Sequence, residues 1–229
     1  HRSFAIEAQK KENALIHCAQ WITSTAGSSP ASNPFSMLPE PLVFPVRLFT
    51  VTLIPAKTHP MPALDAVTDL ITEVFDEIGG KVFLHTHEDE ICGLISNESL
   101  VASGRTLDKK LARLQRQVTT YFLDAPVIIY HDKPISLAEL RQGYQLCEDS
   151  KALAFYVGCS APIKATAHTV TAQPFHVSQA ELSKATAAAV QNADELQMQI
   201  AVHTFFQNCA ALCMPPQRVR EACHLLLER

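Results

Sequence analysis

His85 and His87 stand two residues apart and run straight into Glu88, Asp89 and Glu90. On an extended strand, side chains two apart project to the same side, so this spacing offers two imidazoles to one metal ion with carboxylates close by. A structural zinc usually takes about four protein ligands, and the spacing places no third one. The pair therefore reads as a solvated hairpin tip, with a small-ligand or metal sensor as the competing reading, and no bound metal is expected. Cys209 and Cys213, one helical turn apart with Phe205 nearby, are a second chemical pair. A redox or haem-type sensor uses such thiols, but Cys209 continues an apolar stripe and Cys213 abuts Pro215-Pro216, which favours core packing.

Other chemistry is scarce. The seven cysteines (Cys18, Cys92, Cys147, Cys159, Cys209, Cys213 and Cys223) are odd in number and contain no CxxC, as expected of reduced, buried thiols in a cytoplasmic protein. The chain has no GxSxG, no Walker loop, no HExxH and no cysteine–histidine pair in local context. Neither a catalytic residue nor a cofactor is expected. Asp108, Lys109, Lys110, Arg113 and Arg116 make a charged helix face, which reads as solvated surface or a contact between copies.

Elements that position these residues follow from the hydrophobic pattern. Of 229 residues, 47% are hydrophobic and 18% charged, which allows a substantial core in one large domain or a medium one flanked by helices. Net charge is −4 and the isoelectric point 6.2, unlike the basic face of a nucleic-acid-binding domain. No apolar run reaches the roughly 18 residues of a membrane helix.

Phe4, Ala8, Lys11, Leu15, Cys18 and Ile22 recur at spacings of 4, 3, 4, 3 and 4, the seam of a short coiled coil. Residues 1–24 are thus expected to be a connector helix, with Phe4, Ala8, Leu15, Cys18 and Ile22 facing a partner copy or, equally well, packed on the chain's own domain. Residues 25–41, rich in serine and proline, read as a tether. Val46–Ile54 reads as a strand, and Leu64, Val67, Ile71, Val74 and Ile78 as one helix face stopped by Gly79-Gly80. Lys81–Thr86 and Ile91–Ser96 form a hairpin around the acidic turn. Leu107, Leu111, Leu114, Val118 and Tyr121 mark a long helix, and Pro126–Tyr130 a strand. Ser136 and Glu139 make a capping box that opens a helix through Leu140, Tyr144, Cys147 and Leu153 to Gly158. A strand is expected near Ile163–Val170. A second capping box at Ser178 and Glu181, then stripes through Met198, Val202, Phe205 and Cys209 and through Val219, Ala222 and Cys223, predict a helical subdomain over 173–229. The first residues, His1-Arg2-Ser3-Phe4, are neither an initiator methionine nor a signal peptide, and the last helical pattern is still running at Arg229, so the chain reads as a fragment of a longer protein.

The order β-α-β-β-α-β-α-β predicts an α+β fold: a ferredoxin-like antiparallel sheet over 42–172, covered by helices on one face. This order, with His87-Glu88-Asp89-Glu90-Ile91 at the hairpin turn, resembles the degenerate GGDEF-like middle region of AraC-family bacterial transcriptional regulators. Ser136–Leu140, Tyr144, Ala152-Leu153 and Gly158 resemble the helix after the fourth strand in that region, and Pro216–Leu226 the helix before the DNA-binding pair. The resemblance covers roughly residues 10–229. It implies a non-catalytic regulatory domain that senses an effector, dimerises or relays a signal. DNA is then reached only through a domain absent from this chain. The GGDEF family needs two glycines where this chain has His87 and Glu88, and a metal-binding aspartate where it has Ile54-Pro55, so cyclase activity is not expected. A drifted nucleotide- or metal-dependent enzyme is the rival reading. A homodimer, a small-molecule effector and a cytoplasmic location complete the expectation.

Overall fold

The structure is a computed structural model that describes residues 2–24, 33–40, 42–54, 63–122, 125–166, 194–211 and 214–227, with isolated positions between 184 and 192. Contacts group these residues into two units: 1–151 with 159–166, and 152–158 with the C-terminal helices.

In the first unit, Val46–Thr52 (β1) is flanked by antiparallel partners on both sides, Glu90–Ser96 (β3) and Val127–Tyr130 (β4). Lys81–His87 (β2) pairs with β3 through the tight Glu88-Asp89 turn, so β2 is an edge strand. Ile163–Lys164 (β5) runs parallel to β4, giving the order β2-β3-β1-β4-β5. The sheet is therefore mixed rather than antiparallel throughout. A parallel neighbour requires a crossover, and Leu140–Ser150 (α5) supplies the helix for it.

One sheet face is covered as the periodicity predicts. Leu64–Val74 (α2) and Leu107–Phe122 (α4) bury Val67, Ile71 and Val74 and Leu107, Leu111, Leu114 and Val118 against Phe49, Val51, Ile91 and Ile95. Tyr121, assigned to that stripe, is instead 68% exposed, in the last turn of the helix. Asn97–Ala102 (α3) is a short helix that the pattern did not show. Gly93 lies directly opposite Phe49, and a Cβ there would overlap the Phe49 ring, which stacks on Phe75 at 5.4 Å. A glycine inside a strand thus makes room for an aromatic of its neighbour.

The opposite face is not bare. Arg2–Thr23 (α1) packs on β2 and α5, and α5 packs on β1 and β4. Gly143 of α5 sits so close to Leu48 and Ile135 that a Cβ would come within 2.6 Å of Ile135 Cδ1. This corrects two expectations. The sheet is covered on both faces, and α1 belongs to this unit rather than standing apart as a connector. Cys18 and Ile22 are buried within the unit (0% and 2% exposed), Leu15 is half-buried and Ala8 exposed; the Phe4 side chain is outside the described residues. At Cys18 and Ile22 the burial agrees with the alternative that this face packs on the chain's own domain.

The tether reading also changes where residues are described. Pro34–Met37 forms one 3₁₀ turn capped by Asn33, and Phe35 is buried edge-on between Trp21 and Phe44 at 5.8 and 5.7 Å. In the second unit, Leu153–Val157 (α6), Glu195–Ala211 (α7) and Pro216–Leu227 (α8) bury Phe205, Cys209, Met214, Val219 and Ala222 in a small core of their own. Tyr156 joins it by donating to the Met214 carbonyl at 2.6 Å. By contacts the chain passes between the units at 151/152, at 158/159, where β5 belongs to the first unit, and at 166/167. Ser178, Glu181, Cys213 and the segment 167–170 are outside the described residues.

Candidate functional site

Antiparallel pairing sets Glu90, the first residue of β3, opposite Thr52, the last residue of β1. Its side chain points under α5 and is completely buried. A buried carboxylate must collect donors, since an unpaired charge in a protein interior is very costly. Glu90 collects them from three elements. Thr52 Oγ1 donates to Oε2 at 3.1 Å, Thr86 Oγ1 from β2 to Oε1, and Tyr144 Oη from α5 to Oε1 at 2.7 Å. Lys151 Nζ forms an ion pair with Oε2 and also holds both oxygens of Glu148, at 2.7 and 2.9 Å.

Tyr144, Glu148 and Lys151 recur at i, i+4 and i+7, one face of α5. That stripe was the available sequence signal: a tyrosine, a glutamate and a lysine on the face that also carries Leu140 and Cys147. It gave no hint of Glu90 as their partner, because the pairing runs between elements more than 50 residues apart.

Electrostatics divides the two carboxyls. Burial opposes the charge on Glu90, but the hydrogen bond with Glu148, the Lys151 charge and the Thr86 hydroxyl outweigh it and hold Glu90 down at about 2. Burial, joined by the hydrogen bond and the charge of Glu90, pushes Glu148 up to about 7, with Lys151 opposing. Below about pH 7 the proton of the pair therefore sits on Glu148. Burial disfavours the Lys151 ammonium too, yet its bonds to Glu148 and Glu90 raise it overall. Beside them, burial and then the neighbouring carboxylates push the Cys147 thiol up to about 12 and the Cys92 thiol well above its usual value. These are unreactive, protonated thiols.

The histidine pair is corrected here. A register shift in the pairing with β3 falls between His85 and His87. His85 Nε2 meets Thr68 Oγ1 of α2 at 2.9 Å, whereas His87 reaches toward Glu90 and Glu148, with one donor atom of each within 4.8 Å of the others. A bulge resets the alternation of side chains, so two residues no longer mean one side. Three such groups can meet a metal ion, but the Lys151 ammonium already lies on both carboxylates, and a metal would have to displace it.

A second feature lies on the α2–α4 side. Glu73, Asp76 and Glu77 face Arg105, Lys109, Lys110, Arg113 and Arg116 across a groove of about 500 Å³. Lys110, read as solvated, is buried; its ammonium donates to the Val74 carbonyl at 2.8 Å and pairs with Glu77, holding that carboxyl below its usual range. Arg105 also pairs with Glu77, at 3.3 Å. Among the described residues Lys109, Arg113 and Arg116 enter no ion pair, so this part of the expected charged face stands open.

Fold and site together define an α+β domain with a mixed five-stranded sheet, a buried ionic cluster beneath α5 and a cation-rich groove on the other side. No protein-family model, curated protein or solved structure matches this chain. No helix among the described residues is long and apolar enough to cross a membrane.

Proposed function

We propose that this chain is a non-catalytic regulatory domain of an AraC-type bacterial transcriptional regulator, with a GGDEF-like sheet that has given up catalysis. The observation that carries the reading is the lock on Glu90. At the hairpin where the cyclase family works on its nucleotide, this carboxylate is buried and saturated by Thr52, Thr86, Tyr144 and Lys151. A buried carboxylate held by this many donors has little freedom left to serve a metal or a substrate. Ile54, near the place of the family's metal-binding aspartate, has no side-chain oxygen to offer.

In this reading the effector is anionic and docks on Lys109, Arg113 and Arg116 in the groove between α2 and α4. The chain is otherwise acidic, with net charge −4, so a local excess of cations has a local purpose and DNA contact belongs to a separate domain. A homodimer and a cytoplasmic setting go with the same reading, with the copies meeting on surfaces other than Cys18 and Ile22.

The test has two arms on the full chain. Incubation with GTP and Mg²⁺ or Mn²⁺ is expected to give no cyclic dinucleotide; turnover abolished by Asp89→Ala overturns the non-catalytic reading. Calorimetric titration with inorganic pyrophosphate at low salt is expected to show binding weakened at least tenfold by the pair Arg113→Ala and Arg116→Ala, about 1.4 kcal/mol. Absence of binding, or equal binding by the variant, removes the groove as the effector site.

A further inference from the structure

The last turn of α5 carries more than the ionic cluster. The chain leaves the first unit at Lys151–Ala152 and leaves it again after Thr166. Lys151 is anchored through its side chain to Glu90 of β3, and Ser150 Oγ accepts from the Thr166 backbone N–H at 3.1 Å. Both departures toward the second unit are thus fastened to one helical turn, and that turn is held by three ionisable side chains.

We infer that Glu90, Glu148 and Lys151 form a proton-operated latch on the last turn of α5. The inference goes beyond the regulatory reading and holds whatever the effector is. With its proton, Glu148 donates to the Glu90 carboxylate, Lys151 neutralises Glu90, and the enclosed set carries no net charge. Without it, two carboxylates share one ammonium in a buried place, and the set carries one excess negative charge. Glu148 is the member that can relieve this, because its side chain is 23% exposed while Glu90 is sealed. Movement of Glu148 toward water draws on Lys151, its partner one turn along, and slackens the turn.

The surroundings do not supply a compensating charge from within. Thr52, Thr86 and Tyr144 offer hydroxyls, and Cys92 and Cys147 stay protonated. α1 meets α5 where Arg141 lies over the Trp21 ring at 4.2 Å. Among the described residues, His87 at the exposed hairpin rim also faces the pair, with a ring nitrogen within 4.8 Å of an oxygen of each carboxyl.

The sign follows from linkage. A glutamate raised from 4.5 to about 7 favours the closed turn fully below 4.5, and this advantage is lost as pH rises to about 7. The opening constant is therefore expected to climb by up to about tenfold per pH unit across that window and level off above it. Glu90, held low, contributes a change only on the acid side of 4.5.

Hydrogen exchange of the full chain, corrected for intrinsic rates, is read on peptides covering residues 140–158 from about pH 5 to about pH 8.5, a range that covers most of the window and the level region above it. Wild-type protection should fall toward pH 7 and then stay level, and Glu148→Gln should hold the acid-side protection throughout. A flat wild-type profile overturns the latch, as does a Glu148→Gln variant that keeps the slope. A measurement without any variant decides independently: isotope-edited infrared or carboxyl NMR of labelled glutamates should show one glutamate titrating near neutrality, and its absence overturns the proposal.

Discussion

Replacing Lys151 with methionine removes the cation from the buried cluster while keeping most of the side-chain volume. Glu90 then keeps the hydroxyls of Thr52, Thr86 and Tyr144 but loses its ion pair, and Glu148 loses the ammonium from both oxygens. Breaking a buried pair by removing one partner typically costs about 3–5 kcal/mol. Two features reduce that here: Lys151 is a quarter exposed, and Glu90 can escape its charge by taking up a proton. At neutral pH, protonating a carboxyl of ordinary value 4.5 costs about 3 kcal/mol, which caps the penalty. Urea denaturation at pH 7 should therefore show a loss of about 2–3 kcal/mol. The loss should shrink by roughly 1.4 kcal/mol for each pH unit toward pH 5, because the variant's Glu90 binds a proton that the unfolded chain releases. Adding Glu90→Gln should return most of the stability, since the orphaned charge is then gone. A loss below about 1 kcal/mol at pH 7, or one that does not shrink toward pH 5, refutes the ionic account of the cluster.

Three further outcomes follow from the packing. Gly93→Ala should destabilise the first unit by about 1–3 kcal/mol, seen as a lower melting temperature, because the methyl displaces Phe49 from its stack on Phe75. Ile22→Asp should unfold or detach α1, with loss of helical circular dichroism and no clean dimer-to-monomer change in sedimentation, because Ile22 is covered by its own unit. Cys18, Cys92 and Cys147 should resist a thiol reagent at neutral pH until the chain unfolds, as burial both hides them and keeps them protonated.

Elements with a strong local period were legible in advance. The stripe of α2 as far as Val74, the long α4 apart from Tyr121, the hairpin around Glu88-Asp89 and the Ser136–Glu139 box, whose carboxylate reaches back to the Ser136 N–H at 3.3 Å, stand where the pattern put them. The α2 helix itself stops at Val74, short of the expected Gly79-Gly80. Such features rest on contacts between near neighbours, and sequence spacing encodes those directly. The seam of α1 was equally visible, but its partner was not. An apolar stripe states that a helix face must be covered and is silent on whether a second chain or the chain's own sheet covers it.

The histidines and the ionic cluster mark the same boundary more sharply. Alternation along a strand holds only until a bulge, and the shift between His85 and His87 depends on how β2 registers against β3, a property of the pair of strands. Composition identified Glu90 as an acidic turn residue of the kind that usually stays in water. Its burial is decided by α5 crossing above it and bringing Tyr144, Glu148 and Lys151 to a carboxylate 54 to 61 positions earlier in the chain. Only there does a lysine have reason to give up water, because a low-dielectric setting strengthens its attraction to two carboxylates at once.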